Sequence, residues 1–463
     1  MLSVNFANCL VGSVGVEHGL AEHEILGLET RLKEAQHTIQ QQATAGKLGF
    51  IDLPNNIEEA KHIMSWARKI RESFDTLVVL GIGGSALGPI ALQQALRPAY
   101  WNLSDKKARK GGVRLFVYDN VDPRWAADLV ATLDPRKTLF NVISKSGTTA
   151  ESLAAYFIFR KAVEAKVGAK KAASHFIITT DAQKGYLREL ATREKMTSFA
   201  VPGNVGGRFS VLTPVGLVPA ALTGVNLLEL LSGAKAMRAR CQNGLPKQDP
   251  AATFAAIQYL YYQRGVKISV LMPYSQNLYS IADWYRQLWA ESLGKKVDRN
   301  GRTVNVGPTP IKALGVTDQH SQAQLYMEGP YDKVISFLSV ENFGQKMVIP
   351  RVDKGHYLGG RTLNELFKAE EQGTRAALTK AQRPNITLTV DEISETTVGE
   401  LFFFFEMATA YVGELLNINA FDQPGVELAK VYTHALMGRS GYETQRAELD
   451  TMAQKEKEGK YVV

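Results

Sequence analysis

The chain has 463 residues, a length that fits two large domains or about three of ordinary size. With 45% hydrophobic and 22% charged residues it has the composition of a globular protein with ample core, which excludes a disordered or low-complexity chain. The net charge of +8 comes from 54 basic and 46 acidic residues scattered along the chain, with no arginine-rich run; this disfavours nucleic acid as a partner and favours a small anion.

The first 25 residues contain Glu17, Glu22 and Glu24 and lack the basic-then-apolar pattern of a secretory signal. Residues 1–50 read as polar, helical and peripheral. Cys9 and Cys241 lie far apart and share no metal-ligand spacing, which fits reduced thiols in a cytoplasmic protein. An amphipathic helix is predicted over 57–71. Then Thr76–Leu80 is a short apolar strand that runs into Gly81-Ile82-Gly83-Gly84-Ser85, with a helix over 89–96. Strands at 113–118, 139–143 and 175–178 alternate with helices at 124–133 and 151–167. Such alternation means βαβ units and a parallel sheet with helices on both faces.

Around Val201-Pro202-Gly203-Asn204 the character changes, and Gly203, Gly206 and Gly207 mark an ordered loop or domain junction. Helices follow at 214–222, 227–240 and 250–263. A second set of strands, at 267–271, 333–338 and 385–390, is separated by helices at 281–293, 363–380 and 396–416. The most apolar run, Leu401–Val412, is flanked or broken by Glu400, Glu406 and Glu414, too closely for a membrane span. A central buried helix is the reading. Residues 443–463 are highly charged and read as a surface helix or arm.

The first chemistry-bearing stretch is Ser144-Lys145-Ser146-Gly147-Thr148-Thr149, between a buried strand and a helix. Thr148 and Glu151 have the spacing of a capping box. Four hydroxyls, a lysine and a glycine at a helix start suit a phosphate cradle, because the free N–H groups and positive helix end attract an anion. A well-capped βα turn accounts for the same residues. Gly81-Ile82-Gly83-Gly84-Ser85-Ala86 formally matches the Gly-x-Gly-x-x-Ala dinucleotide pattern, but no acid ends a strand about 20 residues on, and Asp119 comes too late. Gly84, Ser85 and Ser144–Thr149 fall on one carboxyl edge of the sheet, where ligands bind in open α/β folds. A small phosphate-bearing molecule fits better than a dinucleotide.

Arg208, in Gly206-Gly207-Arg208-Phe209-Ser210, is either an oxyanion contact with permanent charge or a surface arginine in a turn. Gln287 and Glu291 share a helix face closed by Gly294. Glu291 is a candidate base; the alternative is an exposed glutamate paired with Lys295 four residues on. His320 follows Asp318-Gln319 at a helix start, where a lone histidine is commonly structural. Phe421-Asp422-Gln423-Pro424-Gly425-Val426-Glu427-Leu428-Ala429-Lys430 is a turn feeding a helix, in which Lys430 can pair with Glu427.

Together Gly81–Pro89, Ile143–Glu151, Asn204–Ser210 and Phe421–Lys430, with Gln287–Lys296 and Thr317–Gln322, resemble the glucose-6-phosphate isomerase (phosphoglucose isomerase) family from about Leu77 to His434. Pro424 stands where animal members usually carry tryptophan, and this and the short chain resemble the bacterial branch. The resemblance implies an α/β fold of two sugar-isomerase (SIS) domains, each a mainly parallel sheet flanked by helices. It divides the chain into an N-terminal helical segment (1–50), a smaller SIS domain with the phosphate loop (51–200), a larger SIS domain with the catalytic residues (201–440) and a charged C-terminal helix or arm (441–463). It implies a homodimer, a sugar-phosphate substrate, no metal or organic cofactor, and no nucleic acid or membrane partner.

Carried over residue by residue, Ser144, Lys145, Ser146 and Thr149 hold the phosphate, with Thr148 nearby, and Gly84 and Ser85 line the sugar site. Glu291 moves the proton between C2 and C1. His320, helped by Lys430, opens the ring, Arg208 stabilises the enediolate, and Gln287 and Gln423 orient the substrate. A related enzyme of amino-sugar or other aldose phosphates, and a non-catalytic sugar-phosphate sensor, are the competing readings.

Overall fold

Short apolar runs bounded by turn residues become the inner strands of two sheets, and the segments between them become the covering helices. The computed structural model describes residues 1–353 and 355–458. Its strands are β1 (Ser3–Asn5), β2 (Thr76–Leu80), β3 (Arg114–Tyr118), β4 (Thr138–Ser144), β5 (Phe176–Asp181), β6 (Thr197–Val201), β7 (Ile268–Pro273), β8 (Lys295–Val297), β9 (Thr303–Val306), β10 (Thr309–Lys312), β11 (Lys333–Asn342) and β12 (Asn385–Glu392).

The first sheet has the order β3-β2-β4-β5-β6 and is parallel throughout. β2 and β4 are buried along their whole length, as expected of strands covered on both faces. The chain leaves β2 toward β3 on one side and returns to β4 on the other. The strand order therefore reverses between β2 and β4, the crevice where open α/β sheets bind ligands. Both the 81–85 and the 144–149 loops follow these two strands.

The second sheet has the order β1-β12-β11-β7-β10, with β1 antiparallel and the rest parallel. β8 and β9 form a separate antiparallel ribbon. The first 50 residues are less peripheral than their polarity predicts. β1 extends this sheet, Leu2 is fully buried and gives its N–H to the Glu400 carboxylate at 2.7 Å, and Cys9, Leu20, Ile25 and Leu32 join the core. A three-residue strand is too short to show a period, which is why the composition hides it.

The helix Glu395–Leu415 is buried over nearly its whole length, as its apolar run predicts, and packs on Leu227–Arg240, Pro250–Gln263 and Tyr279–Leu293. Phe402, Phe403, Phe404 and Phe405 are all within the core. Beyond it, the helices Glu427–Leu436 and Glu443–Glu458 pack on each other and are largely exposed. Among the described residues no helix is long and apolar enough to cross a membrane.

Candidate active site

The loop after β4 turns its hydroxyls on itself. The Ser144 hydroxyl lies 2.7 Å from that of Thr149 and accepts the Gly147 N–H at 3.1 Å. The Ser146 hydroxyl accepts from the Thr148 hydroxyl at 3.1 Å and from its N–H at 3.3 Å. Gly147 has φ +68°, and a Cβ there would press on Thr180 and Gly185, so the tight turn needs glycine.

The capping box predicted from Thr148 and Glu151 is not formed. Thr149 is the N-cap of the helix Ala150–Val167 and makes no side-chain cap bond. The first N–H groups of that helix are left without a side-chain acceptor while the hydroxyls crowd beside them. The side-chain-capped turn is therefore not realised, and free N–H groups beside hydroxyls are what an anion site requires. Lys145 is half-buried and gives its ammonium to the Gly203 and Val205 carbonyls at 2.7 and 2.8 Å. Burial lowers its pKa, with Asp181 opposing and Lys184 adding to the shift. The lysine therefore ties the loop to the segment that carries Arg208.

Gly84 opens the helix Gly84–Leu96, which starts earlier than its Pro89 predicts and holds that proline inside. A Cβ on Gly84 would fall 2.2 Å from the Gly207 carbonyl oxygen. Glycine is thus required where the first sheet's loop meets the Gly206–Ser210 turn. Ser85 sits in the same first turn, and Gly83 lies against Gln287.

Arg208 is 3% exposed, not a surface arginine. Its Nε donates to Ser292 Oγ at 2.7 Å, its Nη1 to Gln423 Oε1 at 2.9 Å, and its Nη2 to the carbonyls of Ala420 and Asp422 at 2.7 and 3.0 Å. Nη1 also stands 3.5 Å from Glu291 Oε1. Burial lowers its pKa, and the charges of Glu291 and Asp422 oppose the shift. Gln287 Nε2 donates to the other Glu291 oxygen at 3.0 Å, which realises the shared helix face read from their spacing.

Glu291, Gln287, Lys295, Gln423 and Val426 line a cleft of about 480 Å³. The alternative Glu291–Lys295 side-chain pair is not formed. Lys295 lies beyond the end of the helix at Leu293, and its Nζ donates to the Glu291 backbone oxygen at 2.8 Å and to the Asp422 carbonyl at 2.9 Å. Sequence reasoning misses Ser292 and Lys295. The one available signal is Gly294: a helix that stops there cannot place residue 295 over residue 291.

Two predicted residues stand apart. His320 is exposed in a short turn, Thr317–His320, past the carboxyl end of β10. Lys430 is exposed on the helix Glu427–Leu436 and pairs with Glu427 at 2.7 Å, the intrahelical pair its spacing allows. Neither lines the cleft with Glu291. Among the described residues no cluster of three His, Cys, Asp or Glu side chains is placed to hold a metal ion.

Two mainly parallel sheets flanked by helices, with a hydroxyl-rich loop at the switch point of the first, define an α/β protein with the crevice at which open α/β folds take small ligands. The chain belongs to the phosphoglucose isomerase family, whose family model matches residues 53–454. It is 49% identical over 435 residues to the glucose-6-phosphate isomerase of Carboxydothermus hydrogenoformans, covering 93% of each chain. It is 41% identical over 436 residues to that of Rubrobacter xylanophilus, covering 92% of this chain and 96% of the relative. Among solved structures, a hypothetical protein from Thermus thermophilus superposes with a TM-score of 0.84 at 38% identity, over 95% of this chain and 100% of the other. A glucose-6-phosphate isomerase from Chlamydia trachomatis, at 23% identity and a TM-score of 0.82 over 98% of this chain and 91% of the other, shares the fold.

Proposed function

We propose that this protein interconverts glucose 6-phosphate and fructose 6-phosphate, an aldose-ketose isomerisation of glycolysis and gluconeogenesis, through ring opening and a cis-enediol(ate). The observation that carries the proposal is the Glu291 carboxylate held 3.5 Å from the buried guanidinium of Arg208. A proton alpha to a carbonyl is very weakly acidic, so its removal needs a base and a fixed cation at the developing oxyanion. Glu291 moves the proton between C2 and C1. Arg208, immobilised by four hydrogen bonds, meets the enediolate without reorganising. Gln287 and Gln423, each bonded to one member of that pair, orient the reacting carbons.

The phosphate end is held by Ser144, Lys145, Ser146 and Thr149, with Thr148 at the loop's rim and Gly84 and Ser85 along the sugar. Because the phosphate is remote from C1 and C2, its binding supports positioning at the reacting end. His320, with Lys430, opens the sugar ring. The chain acts as a homodimer in which a second copy supplies His320. The histidine's exposure supports this, as do the apolar Leu428 and Leu436 exposed on the helix Glu427–Leu436 and Met437 exposed just after it. Residues 51–200 and 201–440 act as the phosphate-binding and catalytic domains, in the cytoplasm.

The test is direct. Purified protein is incubated with fructose 6-phosphate without added metal, and glucose 6-phosphate is measured by a coupled assay, with mannose and glucosamine 6-phosphates in parallel. Absence of glucose 6-phosphate would sink the proposal.

A further inference from the structure

Lys295 has a place in this site that its position in the sequence does not announce. Its side chain is 6% exposed, although it follows the end of a helix at the cleft mouth. The Glu291 carbonyl is one of the last in its helix, where no intrahelical N–H is available. Lysines often serve such carbonyls from solvent. Lys295 is instead buried, and the same Nζ also reaches the Asp422 carbonyl at 2.9 Å, with Asp422 Oδ1 at 3.7 Å. That Asp422 carbonyl takes a second hydrogen bond from Arg208, whose other arm holds Gln423. Apart from these bonds the 422–426 turn is exposed. One ammonium therefore joins the end of the helix bearing Glu291 to the turn bearing Gln423. Burial and the neighbouring Arg208 lower the Lys295 pKa, while Asp422 and Glu291 oppose the shift.

We propose that Lys295 is a positioning residue for the isomerisation, holding the end of the Glu291 helix and the Asp422–Gln423 turn together so that the base and the Arg208–Gln423 pair face the same substrate carbons. The inference rests on the isomerase reading above. Lys295 touches no reacting atom; it acts through the backbone of Glu291 and Asp422.

The experiment is steady-state kinetics on Lys295→Met, which keeps much of the aliphatic stem and removes the ammonium, with and without Glu291→Gln. Misplacement of a catalytic group by about 1 Å costs on the order of 10²-fold in rate, so kcat should fall by about that factor. KM should move by less than about threefold, because the phosphate loop is untouched. In the Glu291→Gln background the same substitution should lower kcat by no more than about twofold, since residues acting as one unit are not additive. Lys295→Arg, which keeps the cation, should recover at least about tenfold of the loss.

Near-normal kcat, a loss confined to KM, or an equal fall in both backgrounds would overturn the inference. If Lys295→Met does not fold, Lys295→Gln is compared with Lys295→Arg by the same criteria. A folded wild-type chain without turnover overturns the isomerase reading itself, whereas an active wild type beside a fully active Lys295→Met overturns the positioning role alone.

Discussion

Two inactive variants should restore one another if the ring-opening histidine comes from a second copy. The helix Tyr279–Leu293 starts past the carboxyl end of β7 and runs back along the sheet, so the rise of 1.5 Å per residue puts Glu291 about 18 Å from Tyr279. It ends near the start of β10, where a Cβ on Gly307 would meet Gly294. His320 lies past the other end of β10. Within one chain the two residues thus stand at opposite ends of β10, and His320 does not line the cleft that holds Glu291.

Glu291→Gln and His320→Gln chains carrying different tags are co-expressed, and the hybrid dimer is purified through both tags. In a two-fold dimer with a shared site, one of the hybrid's sites collects both substitutions and the other collects neither. The hybrid should then show about half the wild-type kcat for fructose 6-phosphate, while each parent dimer is almost inactive. If His320 serves its own chain, each site carries one defect and the hybrid stays at the level of its parents. That outcome would refute the geometric argument.

Glu291→Gln alone should lower kcat about 10³-fold with little change in KM, since the amide keeps the shape and cannot take the proton; near-normal turnover would reject Glu291 as the base. Ser144→Ala with Thr149→Ala should raise KM about 10²-fold through lost hydrogen bonds to a charged phosphate, without unfolding the helix, because Thr149 makes no cap bond; a pure kcat loss would contradict the anchoring role. Glu406→Gln should stabilise the protein increasingly as pH rises. Glu406 is fully buried with neither carboxylate oxygen hydrogen-bonded, and burial raises its folded pKa well above the usual value, so the proton it keeps is lost on unfolding and stability declines from the unfolded pKa up to the folded one. Within that window the variant should gain about 1.4 kcal/mol per pH unit over wild type, read by calorimetry at several pH values; a pH-independent difference would contradict the assignment.

The strands that the sequence reveals are those whose apolar runs are long and buried, β2, β4, β5, β7, β11 and β12, together with the edge strand β3, whose run Leu115–Tyr118 is apolar throughout. Those it conceals are of two kinds. β1, β6 and β10 lie at sheet edges, and β8 and β9 form an isolated ribbon. An edge strand is solvated along one side, so β6 reads as polar with two buried positions, and β10 carries Pro310, which disqualifies an inner strand. These omissions share a cause, because an apolar period records burial and the missing strands are not buried enough to write one.

The site divides along a related line. The Ser144–Thr149 loop and the Gln287–Glu291 face are legible because strand-to-turn order and helical spacing are local properties of the backbone. What closes the site is not local. Arg208 finds Ser292 across 84 residues and Gln423 across 215, and no spacing rule encodes either choice. Lys295 escapes the sequence for a similar reason: the four-residue rule holds only inside a helix, and Gly294 has already ended this one. Burial also changes what a charged residue can do. Arg208 and Lys295 are held nearly free of solvent by carbonyls of the 420–422 segment, so that turn, buried at Ala420 and exposed at Asp422, sets the geometry of both cations. The turn adds little apolar packing of its own beyond Phe421, which contacts Phe50 and Phe209, yet it fixes where positive charge meets the substrate. Substitutions there should therefore alter turnover before they alter stability.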